Sequence, residues 1–156
     1  MNAANFLTTK KKLRVPNQDF FAHIKEALHD GNDVVLPVKG VSMVPFLRNG
    51  DRLLIKPIAK SDFKLGKVVL ANTKYGIILH RIVAMRKEWI YMAGDGNLMQ
   101  IEKVHKEDVW AVGIAVMEGS TYKNIQRFSI EAAALLWFLL RPFRIVVHKL
   151  FGKRKK

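Results

Sequence analysis

Ser42 is the residue whose type and setting most directly suggest chemistry. It follows the Gly40 turn and precedes Met43 and Pro45, within the stretch Lys39 to Pro57. Gly50-Asp51 then opens an apolar run, Leu53 to Ile55, that reads as a buried strand. A hydroxyl held on such a turn can attack an acyl carbon if a base reaches it and backbone N–H groups stabilise the oxyanion. The plainer reading is a turn serine that bonds only its own backbone.

The neighbouring pattern bears on that choice. Gly40-x-Ser42-Met43-x-Pro45-x-Leu47-x-x-Gly50-Asp51 resembles the nucleophile motif of the superfamily that holds type I signal peptidases and LexA-type self-cleaving repressors. Two further segments follow in the family's order. Gly66 to Leu70, then Ile78 to Val83, resembles the strand pair that carries the general base. Ala93-Gly94-Asp95-Gly96-Asn97 is similar to the family's Gly-Asp-Asn-Asn box, departing from it at Gly96, which replaces the first Asn. The resemblance covers residues 34–117. It implies a mainly β fold, a coiled antiparallel sheet, to which residue spacing adds a short N-terminal helix and C-terminal amphipathic helices.

The resemblance also implies the roles. Part of the superfamily uses a Lys base, whereas the endoplasmic-reticulum and archaeal type uses a His in a His-Arg pair. His80-Arg81 stands at that place, so the chain resembles the Ser-His subtype. An ordinary histidine titrates near ~6.5 and can be neutral at pH 7 without the heavy desolvation a lysine base needs. Such a base gains from a carboxylate on its far nitrogen. Asp95 is the expected orienting group, with Asp51 the rival. His80 also lies in an apolar run, where a histidine can simply be a satisfied strand residue. The oxyanion donor is expected to be the Ser42 backbone N–H. Gly40, Val41, Met43 and Pro45 are expected to form the turn and the adjoining substrate pocket.

Composition frames the elements that must position these groups. The 156 residues are nearly half apolar and suit one domain with a real core. The chain has no cysteine, which excludes thiol catalysis, disulfides and Cys-ligated zinc. No metal or cofactor motif is legible. Three segments are expected: a basic arm and short helix over 1–33, a β core over 34–118, and amphipathic helices with a basic tail over 119–156. Asn17 or Asp19 can cap the first helix, with Phe20, Phe21, Ile24, Ala27 and Leu28 on one face and Gly31 as its stop. Strands are expected at 34–38, 52–55, 67–71, 76–85, 89–93 and 110–117.

Ser129 is the expected cap of a C-terminal helix interrupted at Arg141-Pro142. A second helix should then carry Phe143, Val146, Val147, Leu150 and Phe151 on one face. The run Ile130 to Leu140 is about half of the ~20 residues a spanning helix needs. Arg141 and Arg144 would cost ~2.5–3.5 kcal/mol each in hydrocarbon. Residues 128–156 are therefore expected to lie on an anionic membrane surface rather than cross it. Packing on the protein's own core or on a partner is the alternative.

The net charge of +14 raises nucleic acid as a rival partner. The charge concentrates at the termini, however, and the ~34 residues before the core hold no helix-turn-helix. The one Ala-Gly pair, Ala93-Gly94, lies inside the acidic box, which argues against self-cleavage as a switch. The expectation is a bacterial serine endopeptidase acting on an extended protein or peptide, peripheral to a membrane or cytoplasmic, with neither signal peptide nor anchor at the amino end. A catalytically inactive peptide-binding module and a basic LexA-like transcriptional regulator stand as alternatives. Neither the substrate nor the oligomeric state is legible.

Overall fold

A computed structural model describes residues 17–151, so the basic arm expected over 1–16 and the last residues of the tail lie outside the described residues. Helix α1 (Asn17–His29) turns Ile24 and Leu28 into the core, with Phe20 and Phe21 packed at its margin. Gly31, at φ +82°, ends it as expected. Its N–H and that of Asn32 bond back to the Leu28 and Ala27 carbonyls, and a left-handed residue makes that closure possible.

Eight strands follow: β1 (Val34–Pro37), β2 (Arg52–Pro57), β3 (Val68–Thr73), β4 (Gly76–Arg86), β5 (Trp89–Ala93), β6 (Glu102–His105), β7 (Val109–Glu118) and β8 (Thr121–Asn124). They form one antiparallel sheet in the order β1-β2-β7-β3-β4-β5-β6, with β8 also on β7. Register shifts at Leu54/Ile55, Leu70/Ala71 and Ile82/Ala84 bend the sheet, because an extra residue on one strand increases its local twist. The curl lets both faces bury side chains. Along β3, Val68 and Leu70 join one apolar cluster with α1, β1 and β2, whereas Val69 and Ala71 join the other with Ile82, Ile90 and Met92. Mainly antiparallel β architecture is therefore what the sequence implied.

Strands β6 and β8 were not expected. Strand β8 is exposed throughout, so no apolar alternation marks it. Strand β6 offers a single apolar residue, Val104, in four.

Helices α2 (Phe128–Leu139) and α3 (Arg141–Phe151) close the chain. Ser129 is not the cap. The Arg127 carbonyl accepts from both Ile130 and Glu131, so the helix starts before Ser129, and no side chain caps it. Glu131 sits in the first turn and pairs with Lys67 at 2.8 Å, fixing α2 to the edge of β3. Pro142 falls in the first turn of α3, where a missing N–H costs nothing.

Candidate active site

The Ser42 turn is held from both sides. Met43 and Leu47 plunge into the core, and the Leu47 N–H bonds to the Met43 carbonyl at 2.9 Å. Gly40, at φ +85°, donates its N–H to Asn49 Oδ1 at 2.9 Å. Asp51 accepts from the Arg48 N–H at 2.7 Å, and its backbone carbonyl accepts from Val38. Asp51 thus orders the turn, which removes it as a rival support for His80.

His80 lies on β4, opposite Val69 of β3, and is buried. Its Nδ1 meets a carboxylate oxygen of Glu102 at 2.9 Å. Its Nε2 faces the Ser42 turn. A Cβ built on Gly94 would lie 3.0 Å from His80 Nε2, 3.1 Å from Ser42 Cβ and 2.5 Å from the Ser42 carbonyl oxygen. The serine side chain and the free ring nitrogen therefore converge over a glycine that leaves them room. No hydrogen bond joins the hydroxyl to the ring among the described residues, an arrangement often found in unliganded sites.

Asp95, the expected orienting carboxylate, does not meet His80. Its two oxygens take Arg81 Nε and Nη2, each at 2.8 Å, and Arg81 Nη1 reaches the Gly66 carbonyl at 2.6 Å. The cause is strand parity: adjacent residues of β4 point to opposite faces, so Arg81 and His80 need separate partners. A planar guanidinium also matches both oxygens of one carboxylate. The carboxylate on His80 comes instead from Glu102, on the unexpected strand β6 and only 5% exposed. Its Oε1 has no hydrogen-bond partner among the described residues. One signal in the sequence pointed there. In Glu102-Lys103-Val104, a period of two places the glutamate on the same face as the core residue Val104.

A cavity of about 280 Å³ opens beside Ser42, lined in part by Leu36, Val38, Met43, Leu70 and Leu79, with Phe20 and Phe21 of α1. Met43 lines it as expected. Val41 is exposed at the tip of the turn. Pro45 faces away, toward a separate cavity of about 520 Å³ shared with Ser129 and Ile130 of α2. The turn reverses between Met43 and Leu47, so these two prolong the core while Pro45 points to its far side. The N–H groups of Ser42 and Met43 bond to no acceptor among the described residues.

Residues 94–100 are clamped from two sides. The Gly96 N–H bonds to the Ser42 carbonyl at 2.8 Å, and a Cβ on Gly96 would lie 2.8 Å from the Val41 carbonyl oxygen and 3.0 Å from that of Val44. The departure from the family box is thus a close-packing requirement. From the other side Trp137 Nε1 reaches the Asp95 carbonyl at 2.9 Å, and Arg144 Nη2 reaches it at 3.1 Å. Arg141 holds the carbonyls of Asn97 and Gln100. Burial lowers the Arg141 guanidinium from its ordinary value and the charge of Arg144 adds to this, while Glu102 and Asp95 oppose both. Arg144 is lowered by burial too, against Asp95. Both remain cationic at neutral pH. Nothing in the spacing of the C-terminal segment pointed to this bracing role.

Gly94→Ala tests the packing directly. Its methyl group would strike a backbone oxygen, so a loss of about 1–3 kcal/mol is expected in denaturant unfolding. A stability equal to wild type would contradict the close approach.

Comparison with known proteins agrees with the fold. The model of a family described as Peptidase S24-like matches residues 3–116. No curated protein and no solved structure matches the chain. With Ser42, the strand bearing His80 and most of the sheet inside the matched span, the chain belongs to the Peptidase S24-like family, within the LexA/signal-peptidase-like serine peptidase superfamily.

Proposed function

We propose that the chain is a serine endopeptidase that hydrolyses a peptide bond of an extended protein or peptide through Ser42, His80 and Glu102. The observation that carries this reading is the convergence of Ser42 Cβ and His80 Nε2 over Gly94, with Nδ1 held by Glu102. Ser42 Oγ attacks the carbonyl carbon as its proton passes to Nε2. The Ser42 backbone N–H stabilises the oxyanion. Collapse breaks the C–N bond, and Nε2 returns the proton to the departing amine. Water then repeats the sequence on the acyl-enzyme and releases the acid. Glu102 keeps the proton of neutral His80 on Nδ1 and balances the charge of the imidazolium that forms.

The substrate path follows from unpaired backbone. Among the described residues strand β1 pairs with β2 alone, and the β4–β5 ladder starts only at Arg81 opposite Ala93, leaving one edge of Gly76 to His80 open there. These two edges flank the cavity beside Ser42. An extended peptide can add to them by main-chain hydrogen bonds and place an apolar side chain in that cavity.

A fluorophosphonate probe tests the proposal. Wild type should be labelled, while folded Ser42→Ala and His80→Ala should not be. Equal labelling of wild type and Ser42→Ala would overturn the proposal, and a peptide-binding module on the same scaffold would then be the better account.

A further inference from the structure

Helices α2 and α3 brace the active-site loop with one side and leave the other uncovered. Phe128 is 85% exposed, Leu139 70%, Phe143 66% and Leu150 67%, with Val146 and Phe151 beside them. On α3 the exposed apolar residues recur at helical spacing, so they form a continuous face rather than scattered single residues. From Ala132 to Lys156 the chain has no Asp or Glu; Arg141 and Arg144 are turned toward the loop carbonyls, and Lys149 and all four residues from Lys153 to Lys156 are basic as well.

We infer that this face docks on an anionic lipid surface. Charge selects the occupant. A second copy would bring the same basic segment against itself, on a chain of net charge +14. Phosphate headgroups instead complement it while their acyl boundary accepts the apolar residues, and the two contributions add. No helix among the described residues is long and apolar enough to cross a membrane, so the pair lies in the interface. Trp137, Arg141 and Arg144 tie these helices to the carbonyls of Asp95, Asn97 and Gln100. Docking therefore fixes the loop beside Ser42 relative to the lipid.

Flotation of the full chain with phosphatidylcholine vesicles, with and without phosphatidylserine, tests this. Wild type should float with the anionic vesicles and bind at least about 10-fold more weakly to phosphatidylcholine alone. The double variant Phe143→Asp with Leu150→Asp should partition about 100-fold more weakly. Both side chains are solvent-exposed, so fluorophosphonate labelling of Ser42 in lipid-free solution should be unchanged. That readout separates a failure here from a failure of the peptidase reading. Absence of wild-type flotation, or equal flotation of the double variant, would overturn the inference. So would concentration-dependent dimerisation that the double variant abolishes, since a second copy would then cover the face.

Discussion

Glu102→Gln is expected to slow fluorophosphonate labelling and peptide hydrolysis at Ser42 by about 10⁴-fold while the protein stays folded. The glutamine keeps the shape of the side chain but removes its charge, so the imidazolium formed during attack loses its counter-charge. It also offers an N–H₂ to His80 Nδ1. That bond selects the tautomer with its proton on Nε2, the nitrogen that must be empty to accept the serine proton. A 10⁴-fold effect corresponds to about 5.5 kcal/mol of transition-state stabilisation. The fold should tolerate the change, because Glu102 is a buried carboxylate with one oxygen already unpartnered among the described residues. The check compares labelling rate with unfolding midpoint for the same preparation. A rate within about 10-fold of wild type would remove Glu102 from the mechanism.

The contrast between Glu102 and Asp95 shows what the sequence could carry. A glycine turn and an apolar run by themselves fit a turn serine and a satisfied strand histidine equally well. Ser42 and His80 were legible through the resemblance, because Gly40-x-Ser42-Met43-x-Pro45 and His80-Arg81 match the superfamily's boxes. The partner of His80 was not, since pairing across a sheet depends on register, and register here is altered by bulges at Ile82/Ala84 and elsewhere. Asp95 looked suitable by its place in the acidic box, yet the alternation of β4 delivers it to Arg81. Strand β6 had too little apolar content to announce itself, so its glutamate went unread.

The same limit applies to the C-terminal helices. The two helical runs and the break near Pro142 were plain in the sequence, and both helices are present. Only α3 is amphipathic: α2 is apolar on nearly every side, with Glu131 its one charged residue. The attachment of the pair was not legible, because it runs from side-chain donors to backbone carbonyls. Trp137 reaches 42 residues back to Asp95, and Arg141 reaches 44 residues back to Asn97. A carbonyl has no side-chain identity, so no pattern of residue types could reveal these bonds. The sequence therefore left open whether these helices meet lipid, a partner or the core, and the structure bonds one side of the pair to the loop at residues 94–100.

Asp95→Ala is expected to act through stability, with an unfolding free energy lower by about 3–5 kcal/mol. Arg81 is 2% exposed and gives two of its donors to Asp95. Removing the carboxylate leaves a guanidinium buried without its counter-ion, and the remaining bond to the Gly66 carbonyl cannot compensate. A typical domain has about 5–15 kcal/mol in all, so much of the variant should be unfolded in mild denaturant. Asp95→Ala with Arg81→Met removes both charges, and should be less destabilised than Asp95→Ala alone because no buried charge is orphaned. Urea titrations of the three proteins give the comparison, with an unchanged slope confirming two-state behaviour. If Asp95→Ala instead unfolds within about 1 kcal/mol of wild type yet loses labelling as severely as His80→Ala, Asp95 acts on the chemistry. The division of labour between the two carboxylates would then be the reverse of the one their hydrogen bonds indicate.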